Sequence, residues 1–198
     1  MPTQARTRNA KPKIERAAIS LFNTEGIDAA TTRQIAERAG VSEGALYRHY
    51  KGKDELAESL FMSIHDKMST LLIEAALAGN DLHSRVIAIV DAYCTLADDD
   101  WELCCYHLLN LNRFLKQDVK REDDPVSLTE ALISDLIESG EIPPGDPSIL
   151  AAMCLGVITQ IGQNKAYNRL KGALSEHRDT MAAAIIAILR TRPADVFS

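Results

Sequence analysis

No uninterrupted apolar run in this sequence is long enough to cross a lipid bilayer, which takes about 20 residues. The two longest apolar stretches, residues 150–161 and 182–189, are shorter than this, and glycine and glutamine interrupt the first. The sequence also begins without the charged and apolar pattern of a signal peptide. We therefore expect no membrane partner and a cytoplasmic location.

Cysteine is scarce as well: there are four, at positions 94, 104, 105 and 154, and none falls in a CxxC pair. This usage predicts free thiols in a reducing compartment. Adjacent side chains on a helix point about 100° apart, so Cys104 and Cys105 are poorly placed to chelate one metal ion with His107. We expect neither a metal nor another cofactor. A thiol sensor stays open, although no cationic neighbour in the sequence favours the thiolate form.

Positive charge is in deficit, with a formal net charge of −6, which by itself argues against a nucleic-acid partner. The deficit is uneven, however. Residues 1–53 hold 10 Lys and Arg against 5 Asp and Glu, a net charge of +5, whereas residues 54–198 hold 12 against 23, a net charge of −11. A basic head on an acidic body indicates that only the N-terminal part meets phosphates. The alternative is a disordered basic arm.

Two short helices joined by a tight turn are predicted between Thr31 and Lys53. Thr32 is the expected cap of the first helix, Gly40 ends it, and Ser42 caps the second. The residues with inward helical spacing are Ile35, Ala36, Ala39, Leu46 and Tyr50. This order of elements is typical of a helix-turn-helix, whose second helix lies in the major groove of DNA.

Three spaced motifs extend this pattern in both directions. They read Phe-x-x-x-Gly-x-x-x-x-Thr-Thr, then Ile-Ala-x-x-Ala-Gly-Val-Ser-x-Gly-x-Leu-Tyr, then Tyr-Lys-x-Lys-x-x-Leu. Over about residues 14–56, roughly a quarter of the chain, the sequence resembles the TetR (tetracycline repressor) family of transcription regulators. The resemblance implies a homodimer that binds palindromic double-stranded operator DNA and releases it when a small-molecule effector enters the body.

The resemblance also implies which residues contact DNA. The base-reading positions are Glu43, Gly44, Ala45, Arg48 and His49, the phosphate-contacting positions are Thr32, Arg33, Tyr47 and Lys53, and Ser42 caps the helix that carries the readers. The chemistry agrees: Arg48 offers a bidentate fork to guanine, and Glu43 can accept from cytosine. The small side chains of Gly44 and Ala45 let the helix approach the bases. His49 could contact either a base or the DNA backbone, and the sequence does not decide between the two.

The rest of the chain is predicted to be a helical-bundle body. The fold class is therefore all-α, with a three-helix DNA-binding domain over residues 1–53, a ligand-binding and dimerisation domain over residues 54–198, and about nine helices. The fourth helix is expected to run from Lys53 to Ala78. At about 25 residues it spans roughly 37 Å, which makes it the natural lever between ligand and DNA.

An apolar helix with polar interruptions is predicted from Trp101 to about Gln117. Polar groups on such a helix need partners, so they are candidates for the lining of a ligand pocket. The candidate pocket residues are Tyr93, Cys104, Tyr106, His107, Asn110 and Phe114. The alternative is that the polar groups are hydrogen-bonded core residues or lie exposed.

The last two helices, about residues 147–168 and 174–190, carry more apolar side chains than one chain readily covers. Two such helices from each of two chains would make a four-helix dimer interface. The candidate interface residues are Leu150, Met153, Val157, Ile161, Met181, Ile185 and Ile188. The alternative is that both helices are buried within a monomer.

These observations favour a ligand-responsive transcriptional repressor. A DNA-bound interaction protein, or an activator, without a small-molecule switch is the alternative. An enzyme with His107 as base and a cysteine as nucleophile is disfavoured, because no orienting carboxylate or oxyanion motif is visible.

Overall fold

A computed structural model describes residues 10–115 and 124–191, and within these ranges every regular element is helical. The helices are α1 (Ala10–Glu25), α2 (Thr32–Ala39), α3 (Glu43–Tyr47), α4 (Lys53–Ala78), α5 (Leu82–Asp99), α6 (Trp101–Phe114), α7 (Pro125–Glu138), α8 (Pro147–Ala166) and α9 (Arg178–Arg190), with a 3-10 turn at Leu174–His177. The predicted all-α class with about nine helices is confirmed for the described residues. The predicted end of the sixth helix near Gln117 lies outside them.

The chain forms two compact units. Among the described residues, the first unit contains residues 10–64 together with Glu102–Phe114, and the second contains His65–Trp101 and the chain from Leu115 onward. The first unit therefore includes the first part of α4 and nearly all of α6, which a division at residue 53 did not anticipate. The assignment of DNA binding to residues 1–53 and ligand binding to residues 54–198 stays a prediction.

The helix-turn-helix forms from local signals in the first unit. The cap of α2 is Thr31 and not the predicted Thr32: the Thr31 hydroxyl accepts from the Gln34 amide, and the Gln34 side chain accepts from the Thr31 amide. Gly40 ends α2 with φ +66°, a left-handed conformation that glycine adopts without strain. The Ser42 hydroxyl accepts from the Ala45 amide and caps α3, as predicted.

An aromatic core joins α6 to α1 and α4 within the first unit. The ring of Tyr106 lies against Phe22 of α1 with ring centroids 5.9 Å apart, and its hydroxyl donates to the Ala57 carbonyl at 2.7 Å. His107 stacks on Phe61 at 4.8 Å between centroids. Packing of this kind buries a large apolar area with fixed ring geometry. It holds α4 and α6 as parts of one unit with the DNA-binding helices.

Aspartate caps begin three helices of the second unit. Asp81, Asp124 and Asp146 each accept from backbone amides in the first turn of α5, α7 and α8. Gly79 precedes α5, where an added Cβ would lie 2.4 Å from the Arg85 backbone nitrogen, so the chain can turn there only with glycine. In this unit α9 packs against α5 and α8, and α7 packs against α8. No helix in the described ranges has the length and apolar character to span a membrane.

Candidate nucleic-acid interface

The short helix α3 carries an exposed polar surface on one side and a buried apolar surface on the other. Glu43, Gly44, Arg48 and His49 are all exposed, as the prediction of base readers requires. Leu46 and Tyr50 are buried, and the Tyr50 hydroxyl donates to the Glu15 carboxylate at 2.6 Å. The inward residues fix the orientation of the helix. The exposed residues lie at the surface, where the major groove of DNA can reach them.

Ala45 does not share this exposed surface. Its side chain is only 6% exposed, because it points toward the core with Leu46. The predicted role of Ala45 as a base reader therefore has no support in this conformation, and its side chain packs in the core. Val41, in the turn between α2 and α3, is half-buried.

The predicted phosphate contacts Thr32 and Tyr47 meet each other at the edge of this surface. The Thr32 hydroxyl donates to the Glu43 carboxylate at 2.6 Å and lies 3.3 Å from the Tyr47 hydroxyl. Tyr47 keeps 52% of its surface exposed. Because Thr31 takes the capping role, the hydroxyl of Thr32 is available for a contact outside its own helix. The sequence did not indicate the pairing with Glu43.

Two cations complete the basic part of the surface. Arg33 is exposed, and its guanidinium donates to Glu37 at 2.9 Å, a hydrogen bond that raises the arginine pKa. Lys53 donates to the carbonyls of Asp28 and Ala30, at 2.6 and 2.9 Å. An ammonium has three N–H donors, so one donor of Lys53 remains for a phosphate oxygen.

The family model for bacterial regulatory proteins of the tetR family matches residues 14–60, which contain this whole surface. Over 88 residues the chain is 40% identical to the tetracycline repressor protein class A from transposon 1721 of Escherichia coli. Residues 14–60 belong to the TetR family. The match supports a transcriptional regulator with a DNA-binding helix-turn-helix, and members of this family are not enzymes.

The likeness beyond the DNA-binding region is weaker. The match to the tetracycline repressor covers 44% of this chain and 31% of that protein, so the chain spans about a third of its length. The nucleoid occlusion factor SlmA of Photobacterium profundum is 26% identical over 166 residues, which cover 80% of this chain and 84% of that protein. The structure of the transcriptional regulator FadR from Bacillus subtilis in complex with stearoyl-CoA matches with a TM-score of 0.71 at 19% identity, over 90% of this chain and 97% of that one. This last likeness shows the fold.

The residues predicted to line a ligand pocket of this TetR-family protein lie in different places. Tyr93 belongs to the second unit, whereas Cys104, Tyr106, His107, Asn110 and Phe114 belong to the first. Tyr106 and His107 are buried in the aromatic core, Phe114 lies 5.0 Å from Phe61 between ring centroids, and the Asn110 amide donates to the Tyr106 carbonyl. Their assignment to a ligand pocket stays a prediction, and this packing gives it no support.

The second unit instead contains an apolar cavity of about 260 Å³. Helices α4, α5, α7, α8 and α9 all contribute to its wall. Representative lining residues are Leu72, Val86, Leu132, Leu136, Ile158 and Ile185. None of the six predicted pocket residues lines it. Sequence reasoning missed this site because its walls come from five separated segments whose apolar side chains look like ordinary core.

The predicted dimer residues divide into exposed and buried sets. Met153 is 49% exposed on α8, and Leu150, Val157, Ile161 and Ile188 are half-buried. Met181 is 1% exposed and Ile185 is 5% exposed, so both pack inside the second unit. These two residues do not belong to a subunit interface in this conformation. Ile149, not among the predicted residues, is exposed one turn before Met153.

Three of the four thiols, those of Cys94, Cys105 and Cys154, are in environments that disfavour the thiolate. Burial raises the pKa of Cys94 and of Cys154 to about 11, and burial with the nearby Glu102 raises the pKa of Cys105. A protonated thiol is a poor nucleophile and a poor redox sensor. Within the described residues, no group of three or more His, Cys, Asp or Glu side chains is arranged to hold a metal ion.

Proposed function

We propose that this protein is a ligand-responsive homodimeric repressor that binds a palindromic operator through α3. The observation that carries the proposal is the set of exposed side chains on α3 and in the turn directly after it, Glu43, Arg48 and His49, around a fully buried Leu46. An exposed arginine and an exposed carboxylate match the donors and acceptors that base edges present in the major groove. Thr32, Arg33, Tyr47 and Lys53 supply phosphate contacts around it.

Dimerisation is supported by the outer face of α8. Ile149 and Met153 are large apolar side chains one turn apart, and both are about half exposed. Apolar side chains repeated along one helix face favour burial against a partner. A second copy of the chain would cover them, and a homodimer carries two α3 helices, one for each half of a palindromic operator.

A response to a ligand is supported by the cavity and by the course of α4. The helix begins with Lys53, next to the phosphate-contacting residues, and its later residues Leu72, Ile73 and Ala76 form part of the cavity wall. A molecule that binds one arrangement of α4 better than another shifts the population of DNA-binding conformers by that difference in affinity. FadR, which shares this fold, was crystallised with stearoyl-CoA, and this is a precedent for ligand binding within the fold.

Fluorescence anisotropy tests the DNA-binding part of the proposal. The protein is titrated onto labelled DNA from its own upstream intergenic region and onto a scrambled duplex of equal length, at several salt concentrations. We expect binding to the genomic fragment at least about 100-fold tighter than to the scrambled duplex. Equal affinities would contradict self-regulation, and selection of bound genomic fragments would then locate the true operator.

Sedimentation velocity tests the dimer. The variant Met153→Asp is expected to sediment as a monomer because a charge would be buried in the contact. The matched control Ile87→Asp places the same charge on an exposed apolar residue of α5 and should leave the dimer intact. A monomeric wild-type protein, or dimeric Met153→Asp, would contradict an interface on this face.

A DNA-bound interaction protein without a small-molecule switch is the second candidate. The specific observation in its favour is the match to a nucleoid occlusion factor, which extends over most of both chains. The two candidates differ in one measurement. A switch requires that occupation of the cavity changes the affinity for DNA, whereas an interaction protein needs no such coupling.

A further inference from the structure

The cavity of the second unit is lined mainly by apolar side chains, and its two charged side chains, Arg85 and Asp135, are compensated or exposed to solvent. We propose that it binds an uncharged, predominantly hydrophobic small molecule. The proposal rests on the proposed function in one respect, since the molecule would be the effector of the repressor. Its chemical class, however, follows from the cavity wall alone.

The floor of the cavity is apolar and buried. Val86, Val90, Leu136, Ile158 and Leu189 line it, and each has less than a tenth of its surface exposed. Cys154 contributes a thiol whose pKa burial raises to about 11, so the sulfur behaves as a neutral, polarisable wall atom. Apolar walls of this kind favour a ligand that leaves water without needing hydrogen-bond partners.

Three side chains with polar ends also line the cavity, and two of them are engaged elsewhere. The Thr129 hydroxyl donates to the Pro125 carbonyl at 2.6 Å. Arg85 donates to the Gly79 carbonyl at 3.3 Å and lies 3.8 Å from the Glu141 carboxylate. The third, Asp135, is exposed to solvent. Arg85 and Asp135 also carry opposite charges, so the wall has no net charge.

A charged ligand would therefore lose its water for a partner that is already compensated or exposed. A carboxylate at Arg85 would meet the negative charge of Glu141, which lies 3.8 Å from the guanidinium. An ammonium could pair with Asp135, but this side chain is exposed to solvent, which weakens the pairing. An unpaired charge in an apolar site is strongly disfavoured. An alcohol, a ketone or a hydrocarbon avoids this cost. A cavity of about 150 Å³ holds benzene, which has six non-hydrogen atoms. In the same proportion, the cavity of about 260 Å³ in this protein suits a molecule of roughly ten non-hydrogen atoms.

Matched amphiphiles test the class of ligand. Binding of 1-decanol, decanoate and decylammonium to the full-length protein is measured at about pH 8 by isothermal titration calorimetry and by the shift in thermal unfolding. We expect 1-decanol to bind and to raise the unfolding temperature, with decanoate and decylammonium at least tenfold weaker. Equal or tighter binding of either ion, or no binding of 1-decanol up to its solubility limit, would overturn the proposal.

A cavity-filling variant tests the location. Ala76 lies on α4 in the cavity wall, and Ala76→Trp should weaken 1-decanol binding at least tenfold. The control is Ala78→Trp, two residues further along the same helix, exposed and outside the wall. Should Ala76→Trp fail to fold, Ala76→Leu fills less space and should give a smaller loss in the same direction. Unchanged binding in a folded Ala76 variant would place the ligand elsewhere and overturn the proposal.

The anisotropy assay separates this proposal from the proposed function. If saturating 1-decanol binds in the cavity but leaves the affinity for operator DNA unchanged, the ligand class stands and the effector role fails. If an operator is bound specifically and 1-decanol does not bind, the DNA-binding role stands and the ligand class fails.

Discussion

The Thr32 hydroxyl donates to the Glu43 carboxylate over 2.6 Å, which ties the first turn of α2 to the first turn of α3. One residue is a predicted phosphate contact and the other a predicted base reader. In the free protein the two side chains are therefore hydrogen-bonded to each other and not to DNA. DNA binding would require Thr32 to exchange this acceptor for a phosphate oxygen while the carboxylate stays close to the negatively charged backbone.

We expect Glu43→Gln to bind non-specific DNA more tightly. The substitution removes a negative charge beside the phosphates and weakens the hold on Thr32, so affinity should rise about threefold to tenfold at low salt and the gain should shrink as salt is added. Anisotropy with the scrambled duplex measures this. Glu74→Gln, an exposed residue of the second unit, makes the same change in net charge and should have no comparable effect. Equal gains in both variants would mean that only net charge matters.

Arg48 is expected to carry much of the discrimination between base sequences. Its side chain is exposed directly after α3, so Arg48→Ala should fold normally. Loss of one bidentate base contact should weaken operator binding about 10- to 100-fold, with a much smaller change on scrambled DNA. The control Arg169→Ala removes an exposed arginine from the second unit. If Arg48→Ala weakened both duplexes equally, Arg48 would be a phosphate contact.

Tyr106 is expected to stabilise the first unit through its hydroxyl. It is fully buried, and Tyr106→Phe leaves the Ala57 carbonyl without the phenol donor while keeping the ring in place. We expect a loss of about 1 kcal/mol in the free energy of unfolding, measured by urea denaturation. Tyr167→Phe, at an exposed tyrosine, should change nothing. If Tyr106→Phe left the stability unchanged, the hydrogen bond from the hydroxyl to the Ala57 carbonyl would make no net contribution to folding.

Arg113 and Asp28 predict a pH dependence of stability. The guanidinium donates to both carboxylate oxygens, at 3.0 and 2.8 Å, and this hydrogen bonding holds the pKa of Asp28 below its ordinary value of 3.8. A depressed carboxyl pKa contributes stability above the ordinary value, and that contribution is lost as pH falls through the folded-state pKa.

The variant Asp28→Asn should therefore unfold at a lower temperature than wild type at neutral pH. The difference should be small, because the pair is exposed to solvent, and it should vanish in strong acid. Thermal unfolding followed by circular dichroism over a pH series measures this. Asp179→Asn, at an exposed aspartate with no such bidentate partner among its described contacts, is the control. A difference that persisted unchanged in acid would show that the ion pair is not its cause.

The sequence by itself determined where most helices begin and end. The bounds predicted for the fourth helix, Lys53 and Ala78, are those observed, because periodicity, a glycine break and a following aspartate cap are signals within a few residues of each other. The helix-turn-helix was equally predictable from the sequence. Gly40, Ser42 and Leu46 act through backbone geometry, capping and inward spacing, which depend on neighbours in the sequence.

Only the tertiary structure decided which polar groups pair and which apolar groups enclose space. Thr31 and Thr32 carry the same hydroxyl group but have different roles in the structure. Thr31 caps α2, whereas Thr32 bonds Glu43, eleven residues further along the chain. Met181 and Ile185 were predicted to lie in the dimer interface. They face inward instead, because α9 packs against α5 and α8 of its own chain. The cavity draws on residues from Leu72 to Leu189, and no local pattern encodes a space that exists only when distant helices fail to fill it.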